Sequence, residues 1–136
     1  MKELTLSATV ENIEVVTDFV NEELEALECP MKIETQIDIA IDEIFGNIVH
    51  YAYGSEIGQA TVRIEVSEDP TGISITFIDN GTPYNPLGKT DPDTSLSIED
   101  RKIGGLGIYM VKKSMDDVTY EYKNGQNVLT IKKNLY

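Results

Sequence analysis

The chain has 136 residues with one cysteine, Cys29, and one histidine, His50. That length suits one domain with a real core, and the composition excludes an internal disulfide framework and a Cys/His zinc site. A net charge of −13 and a pI near 4.3 argue against binding nucleic acid through a broad basic face. Residues 1–60 carry 13 acidic and two basic side chains, whereas residues 61–136 carry 11 and nine, so a polyphosphate is repelled by the first part and tolerated by the second.

The acidic part reads as solvated helix faces, or as a surface that steers toward a basic partner. No run approaches 18 apolar residues, and the stretch after Met1 lacks the apolar core of a signal peptide. These features predict a cytoplasmic protein with no membrane attachment. Residues 3–8 alternate apolar and polar, which predicts a short strand. Residues 12–28 repeat Val16, Phe19, Val20, Leu24 and Leu27 at helical spacing, and Cys29-Pro30 ends that element.

Residues 31–53 carry the longest helical pattern, with Ile33, Ile37, Ile41, Ile44 and Ile48 in one stripe before Gly54. Residues 60–67 and 73–79 read as strands joined by Asp69-Pro70-Thr71-Gly72. Residues 80–103 hold no period and many Pro, Gly and polar residues, so they predict a functional or disordered connection. A short helix after Gly107 follows, with Ile108, Val111 and Met115 on one side. Residues 118–123 and 127–133 then form a hairpin around Asn124-Gly125. The order β-α-α-β-β-loop-α-β-β predicts an α+β, two-layer sandwich: a mostly antiparallel sheet with helices on one face. Met31, Met110 and Met115 are expected in the core, and His50 as a packed side chain.

Three places carry candidate chemistry. Glu43 and Asn47 lie four apart on the long helix, so they share a face beside the apolar stripe; Asp42 is equally placed to be the working acid. Asp79 ends an apolar strand and is followed by Asn80-Gly81. A carboxylate there can accept from an amino group such as that of adenine, and Gly81 lets a flat ring approach the backbone, although Asp-Asn-Gly is also good turn chemistry. Gly104-Gly105-Leu106-Gly107 opens a helix, where free N–H groups and the helix dipole attract an anion. Arg101, Lys102 or Lys89 in the loop could meet a terminal phosphate. Each feature alone has a bland alternative; their order along the chain does not.

Together the segments Asp42 to Asn47, Asp79 to Leu87, Gly104 to Lys113 and Asn127-Val128-Leu129-Thr130 resemble the ATPase superfamily of DNA gyrase, histidine kinases and the related chaperone, with its Bergerat fold. Within it, the chain most resembles the stand-alone anti-sigma-factor serine/threonine kinases of bacteria. The resemblance runs from about residue 5 to the end and implies one domain, 1–136, with an ATP lid over about 82–103. It implies ATP and Mg²⁺ as cofactors, Glu43 as general base and Asn47 as the Mg²⁺ ligand. Asp79 beside Gly81 would take the adenine amine, and Thr130 would share a water with that carboxylate and the base. The segment Gly104, Gly105, Leu106 and Gly107 would cradle the phosphates, with Arg101 nearby. Tyr51-Ala52-Tyr53 stands where many relatives have His-Ala-Tyr, and Arg101 stands three residues before Gly104. The implied partners are an anti-anti-sigma protein of the sulfate-transporter/anti-sigma antagonist (STAS) type, further a sigma factor, and a second copy of the chain. The other expectation kept open is a module that binds nucleotide and sequesters a partner without phosphorylating it.

Overall fold

A computed structural model describes residues 1–54, 56–68, 70–88 and 105–135. Five strands, β1 (Lys2–Ser7), β2 (Gln59–Ser67), β3 (Gly72–Asp79), β4 (Asp117–Lys123) and β5 (Gln126–Asn134), form one antiparallel sheet in the order β1-β2-β3-β5-β4. The helices are α1 (Glu11–Ala26), α2 (Met31–Asn47) and α3 (Gly105–Ser114). This is the α+β sandwich that the element order predicts.

Strand alternation decides the two faces of the sheet. Val62 pairs with Phe77 and Phe77 with Leu129; Ile64 pairs with Ile75 and Ile75 with Ile131. All of these side chains are buried and meet Val16, Val20 and Leu24 of α1 and Ile37, Ile41, Ile44 and Phe45 of α2. Burying one such side chain contributes about 1.5–3 kcal/mol, so the stripe of α2 alone supplies a large share of what holds the layers together. The opposite face carries polar pairs: Thr5 bonds Thr61 at 2.9 Å, Thr76 bonds Thr130 at 3.0 Å, and Arg63 pairs with Glu3 at 2.5 Å.

The ends of the elements follow local chemistry. α1 stops in a Schellman-type turn, with the Glu28 N–H on the Glu25 carbonyl and the Cys29 N–H on the Leu24 carbonyl, and Glu28 takes the left-handed conformation at φ 55°. Asn124 and Gly125, at φ 55° and 76°, form the predicted tight hairpin turn.

Some expectations fail. The helix read over 31–53 is α-helical only to Asn47, and Ile48–Ala52 is a π-helical turn. A π turn takes in an extra residue, which changes the phase of the stripe. Ile48 and Ala52 stay buried while His50 and Tyr51 turn outward, so His50 is not packed in the core. Met115 is buried, but Met31 and Met110 are 82% and 52% exposed. Met31 sits at the first turn of α2, clear of the sheet, and Met110 lies beside, not on, the stripe of Ile108, Val111 and Met115.

Candidate functional site

The C-terminal part of α2 and the π turn face the ends of β3 and β5 across a cavity of roughly 430 Å³, counted with its open mouth. Ile44, Asn47, Ile48, Tyr51 and Ala52 form one wall, and Phe77, Asp79, Asn127, Leu129 and Tyr120 form the floor. Thr82, Tyr84 and Pro86 close one side and Ile108 of α3 another. The lining is largely apolar with a few convergent polar groups, the usual character of a small-molecule site.

Asp79 and Asn127 are the buried polar side chains among the described residues, 5% and 6% exposed, and they bond one another. Asp79 Oδ1 accepts from the Gly81 N–H at 2.9 Å and from Asn127 Nδ2 at 2.9 Å. Its second oxygen lies outside both bonds. Gly81 is required here: a Cβ on it would lie 2.2 Å from the Ala52 carbonyl oxygen, which itself accepts from the Thr82 N–H at 2.8 Å. The turn after Asp79 therefore presses backbone against backbone: the space that Gly81 leaves is taken by the Ala52 carbonyl, where the sequence reading expects a flat ring.

Two tyrosines surround this centre. The Tyr53 hydroxyl accepts from the Asn80 N–H at 2.9 Å and donates to the Gln59 carbonyl. Tyr120 donates to Asn127 Oδ1. Burial pushes both phenols above their ordinary range, and the Asp79 carboxylate adds to the shift in each, so both act here as neutral hydrogen-bonding groups. Tyr51 stacks on Tyr84 with ring centroids 5.6 Å apart.

Glu43 does not line the cavity. It lies one turn before Asn47, under the start of α3, with Oε1 shut off from solvent. A Cβ on Gly107 would fall 2.1 Å from Glu43 Oε2, so the first turn of α3 rests directly on this carboxylate. Residues 43 and 107 are brought together although 64 positions separate them. Asp42, the alternative acid, is exposed on the neighbouring face. α3 begins at Gly105, ahead of Ile108 where the sequence pattern starts it, so Gly105, Leu106 and Gly107 are its first turn. Arg101 and Gly104, with Lys89 and Lys102, lie outside the described residues, as does most of the expected lid.

Thr130 is a correction. Cross-strand register pairs Asp79 with Asn127 and Thr76 with Thr130. Residues three apart on a strand face opposite ways, so Thr130 points to the outer face, where its hydroxyl bonds that of Thr76 at 3.0 Å. Asn127, present in the recognised segment but given no role, occupies the place beside Asp79. Alternation along β5 shows that Asn127 and Thr130 diverge; only the β3–β5 register shows which of them meets Asp79. The same holds for Tyr84 and Tyr120, which no local pattern marks.

The donor set fits a hard cation held largely by a substrate. Among the described residues no group of three or more His, Cys, Asp or Glu side chains could hold a metal. Asn47 offers a carboxamide oxygen at the cavity wall and Glu43 a carboxylate one turn away. Mg²⁺ is usually held by one or two protein oxygens plus phosphates rather than by a protein cage.

The family model of the histidine kinase-like ATPase domain matches residues 6–133. Over 98 residues the chain is 34% identical to the serine-protein kinase RsbW of Bacillus mycoides, a match that takes in 69% of this chain and 60% of that relative. It is 26% identical over 95 residues to the serine/threonine-protein kinase BtrW of Bordetella bronchiseptica, covering 70% of this chain and 66% of that relative. The crystal structure of the RsbU and RsbW domains of a Mycobacterium tuberculosis protein superposes over 99% of this chain and 33% of its own, at TM-score 0.69 and 17% identity, which speaks for the fold alone. The matched stretch thus spans about 60% of the length of the first of these kinases. With the family model covering residues 6–133, the chain belongs to the histidine kinase-like ATPase domain family.

Proposed function

We propose that the chain is an ATP-dependent protein serine/threonine kinase that acts as an anti-sigma regulatory factor, with an anti-anti-sigma STAS-type protein as its substrate. The observation that carries the reading is the contact between Glu43 and Gly107, which sets a carboxylate against the first turn of a glycine-opened helix. That is where a base must stand if the terminal phosphate of ATP is held by the helix N-terminus.

In this reading the purine enters the cavity and its exocyclic amine donates to Asp79 Oδ2. The backbone of Gly104, Gly105, Leu106 and Gly107 holds the phosphates, Arg101 meets the terminal one, and residues 82–103 cover them as a lid. Asn47 would hold Mg²⁺, whose charge, when bound, offsets that of the phosphates. Glu43 takes the proton of the partner's serine or threonine hydroxyl. That oxygen forms a bond to the γ-phosphorus as the bond from phosphorus to the β–γ bridging oxygen breaks, leaving ADP and a phosphorylated partner. Little covalent help is needed beyond such placement and charge neutralisation. The working protein would be a cytoplasmic homodimer that also engages a sigma factor; among the described residues no helix is long and apolar enough to cross a membrane.

The test has two stages. Mg-ATP at ~100 times its dissociation constant should add about 2.7 kcal/mol to stability, several degrees in Tm, and Asn47→Ala should lose that shift. Labelled γ-phosphate should then pass to a purified STAS-type partner with wild type and not with Glu43→Ala. No thermal shift sinks the ATP site. A shift and partner binding without transfer leave a nucleotide-dependent sequestering module.

A further inference from the structure

We propose that Asn127 is the positioning residue of the purine site: its carboxamide holds Asp79 as a hydrogen-bond acceptor and fastens residues 82–84, the root of the following loop, to the same side chain. The inference rests on the reading that the cavity takes the purine of ATP.

A carboxamide has two N–H donors and one oxygen that accepts two bonds. All four are used at Asn127. Nδ2 donates to Asp79 Oδ1 at 2.9 Å and to the Thr82 carbonyl at 3.0 Å. Oδ1 accepts from the Tyr84 N–H at 3.1 Å and from the Tyr120 hydroxyl. The orientation of the amide is chemically forced, because Asp79 and Thr82 present acceptors and the Tyr84 N–H can only donate. At 6% exposure each bond is made away from bulk water, where an unmade one is costly.

The consequence is a division of Asp79. Gly81 and Asn127 saturate Oδ1, and the remaining oxygen is left to read the ligand. An acceptor there matches a 6-amino purine and opposes a 6-oxo purine, whose oxygen would face it. Because the same amide ties down Thr82 and Tyr84, and Tyr84 in turn stacks on Tyr51, the group that orients the purine reader also sets the course of residues 82–84 as the chain leaves β3. Asn has the right length and both polarities. Asp would turn one oxygen onto two acceptors, Asp79 Oδ1 and the Thr82 carbonyl, and Ser cannot span the four partners.

The experiment compares ATP with inosine triphosphate, which differs from it only in the purine, on the full chain and on Asn127→Asp and Asn127→Ser. Affinities come from calorimetric titration, and exchange of the Tyr84 and Gly81 amides is followed by NMR. Wild type should prefer ATP by tenfold or more. Asn127→Asp should lose at least tenfold in ATP affinity and bring the two nucleotides toward equal binding, since paired carboxyls share a proton that can face a 6-oxo group. Asn127→Ser should keep the fold, narrow the preference, and exchange the Tyr84 amide at least tenfold faster than wild type while Gly81 changes less. A merely structural role would weaken both nucleotides alike and leave their ratio intact, which overturns the proposal. If Asn127→Asp does not fold, Asn127→Ser decides: a wild-type ratio with unchanged Tyr84 exchange overturns it as well. Wild type that binds neither nucleotide removes the purine reading and this inference with it, a result separate from any variant's behaviour.

Discussion

Replacing Gly107 with Ala tests how α3 is set against Glu43. The added methyl would lie 2.1 Å from Oε2, 2.2 Å from Cδ and 2.6 Å from Oε1, where ordinary contact begins at 3.4 Å. Relief therefore moves the carboxylate by more than 1 Å, and it is the carboxylate that moves because it ends a flexible side chain while Gly107 is held in a helix. The cost in stability is small: Ala is favoured over Gly in a helix by about 0.5–1 kcal/mol, which offsets much of the crowding. On the proposal that Glu43 is the base, the cost in rate is large, because displacing a reacting group by about 1 Å can lose ~100-fold. Gly107→Ala should thus melt within a few degrees of wild type, yet transfer phosphate roughly 100-fold more slowly at saturating Mg-ATP in a single-turnover assay. Combining it with Glu43→Ala should add almost nothing to the loss from Glu43→Ala alone, since both act through one group. A rate within threefold of wild type, with Glu43→Ala severely impaired, would refute the placement of the base beneath α3.

Other substitutions probe the remaining parts of the site and fold. Gly81→Ala would set a methyl 2.2 Å from the Ala52 carbonyl oxygen, where only backbone can give way; a loss of about 1–3 kcal/mol and several degrees of Tm is expected, and an unchanged melting temperature would contradict the close approach. Thr130→Val should leave nucleotide affinity within about twofold and lower stability by at most about 1 kcal/mol through the lost Thr76 bond; a tenfold weaker titration would put Thr130 back in the site. Asp38 has its carboxyl raised above the ordinary range by burial, partly countered by a bond from Asn21. The native state then keeps a proton that the unfolded chain has released, so its contribution to stability is lost as pH rises from the ordinary value through the raised one. Asp38→Asn should match wild type in thermal unfolding at about pH 3.5 and gain on it toward pH 7; a gap independent of pH would exclude this linkage.

Much of the fold is legible in the sequence because periodicity is local. The stripe of Ile37, Ile41 and Ile44, the alternation of Ile73, Ile75 and Phe77, and the Asn124-Gly125 turn each report backbone conformation from neighbours within a few residues. So do Glu43 and Asn47 on one helix face and Asp79 at a strand end. The chain alone thus determined the element order and the class of fold, and it set Glu43 and Asn47 on one helix and Asp79 at a strand end. It could not determine which distant residues share a face of the site. Thr130 and Asn127 both belong to the recognised segment, and only the register between β3 and β5 places Asn127, not Thr130, against Asp79. The π turn likewise depends on how Ile48 and Ala52 dock against the core, which no local pattern shows. The contact of Gly107 with Glu43 is a matter of how α3 crosses α2. Those facts are set by packing between elements, whose free energy depends on pairs of residues dozens of positions apart, and no local pattern in the chain records them.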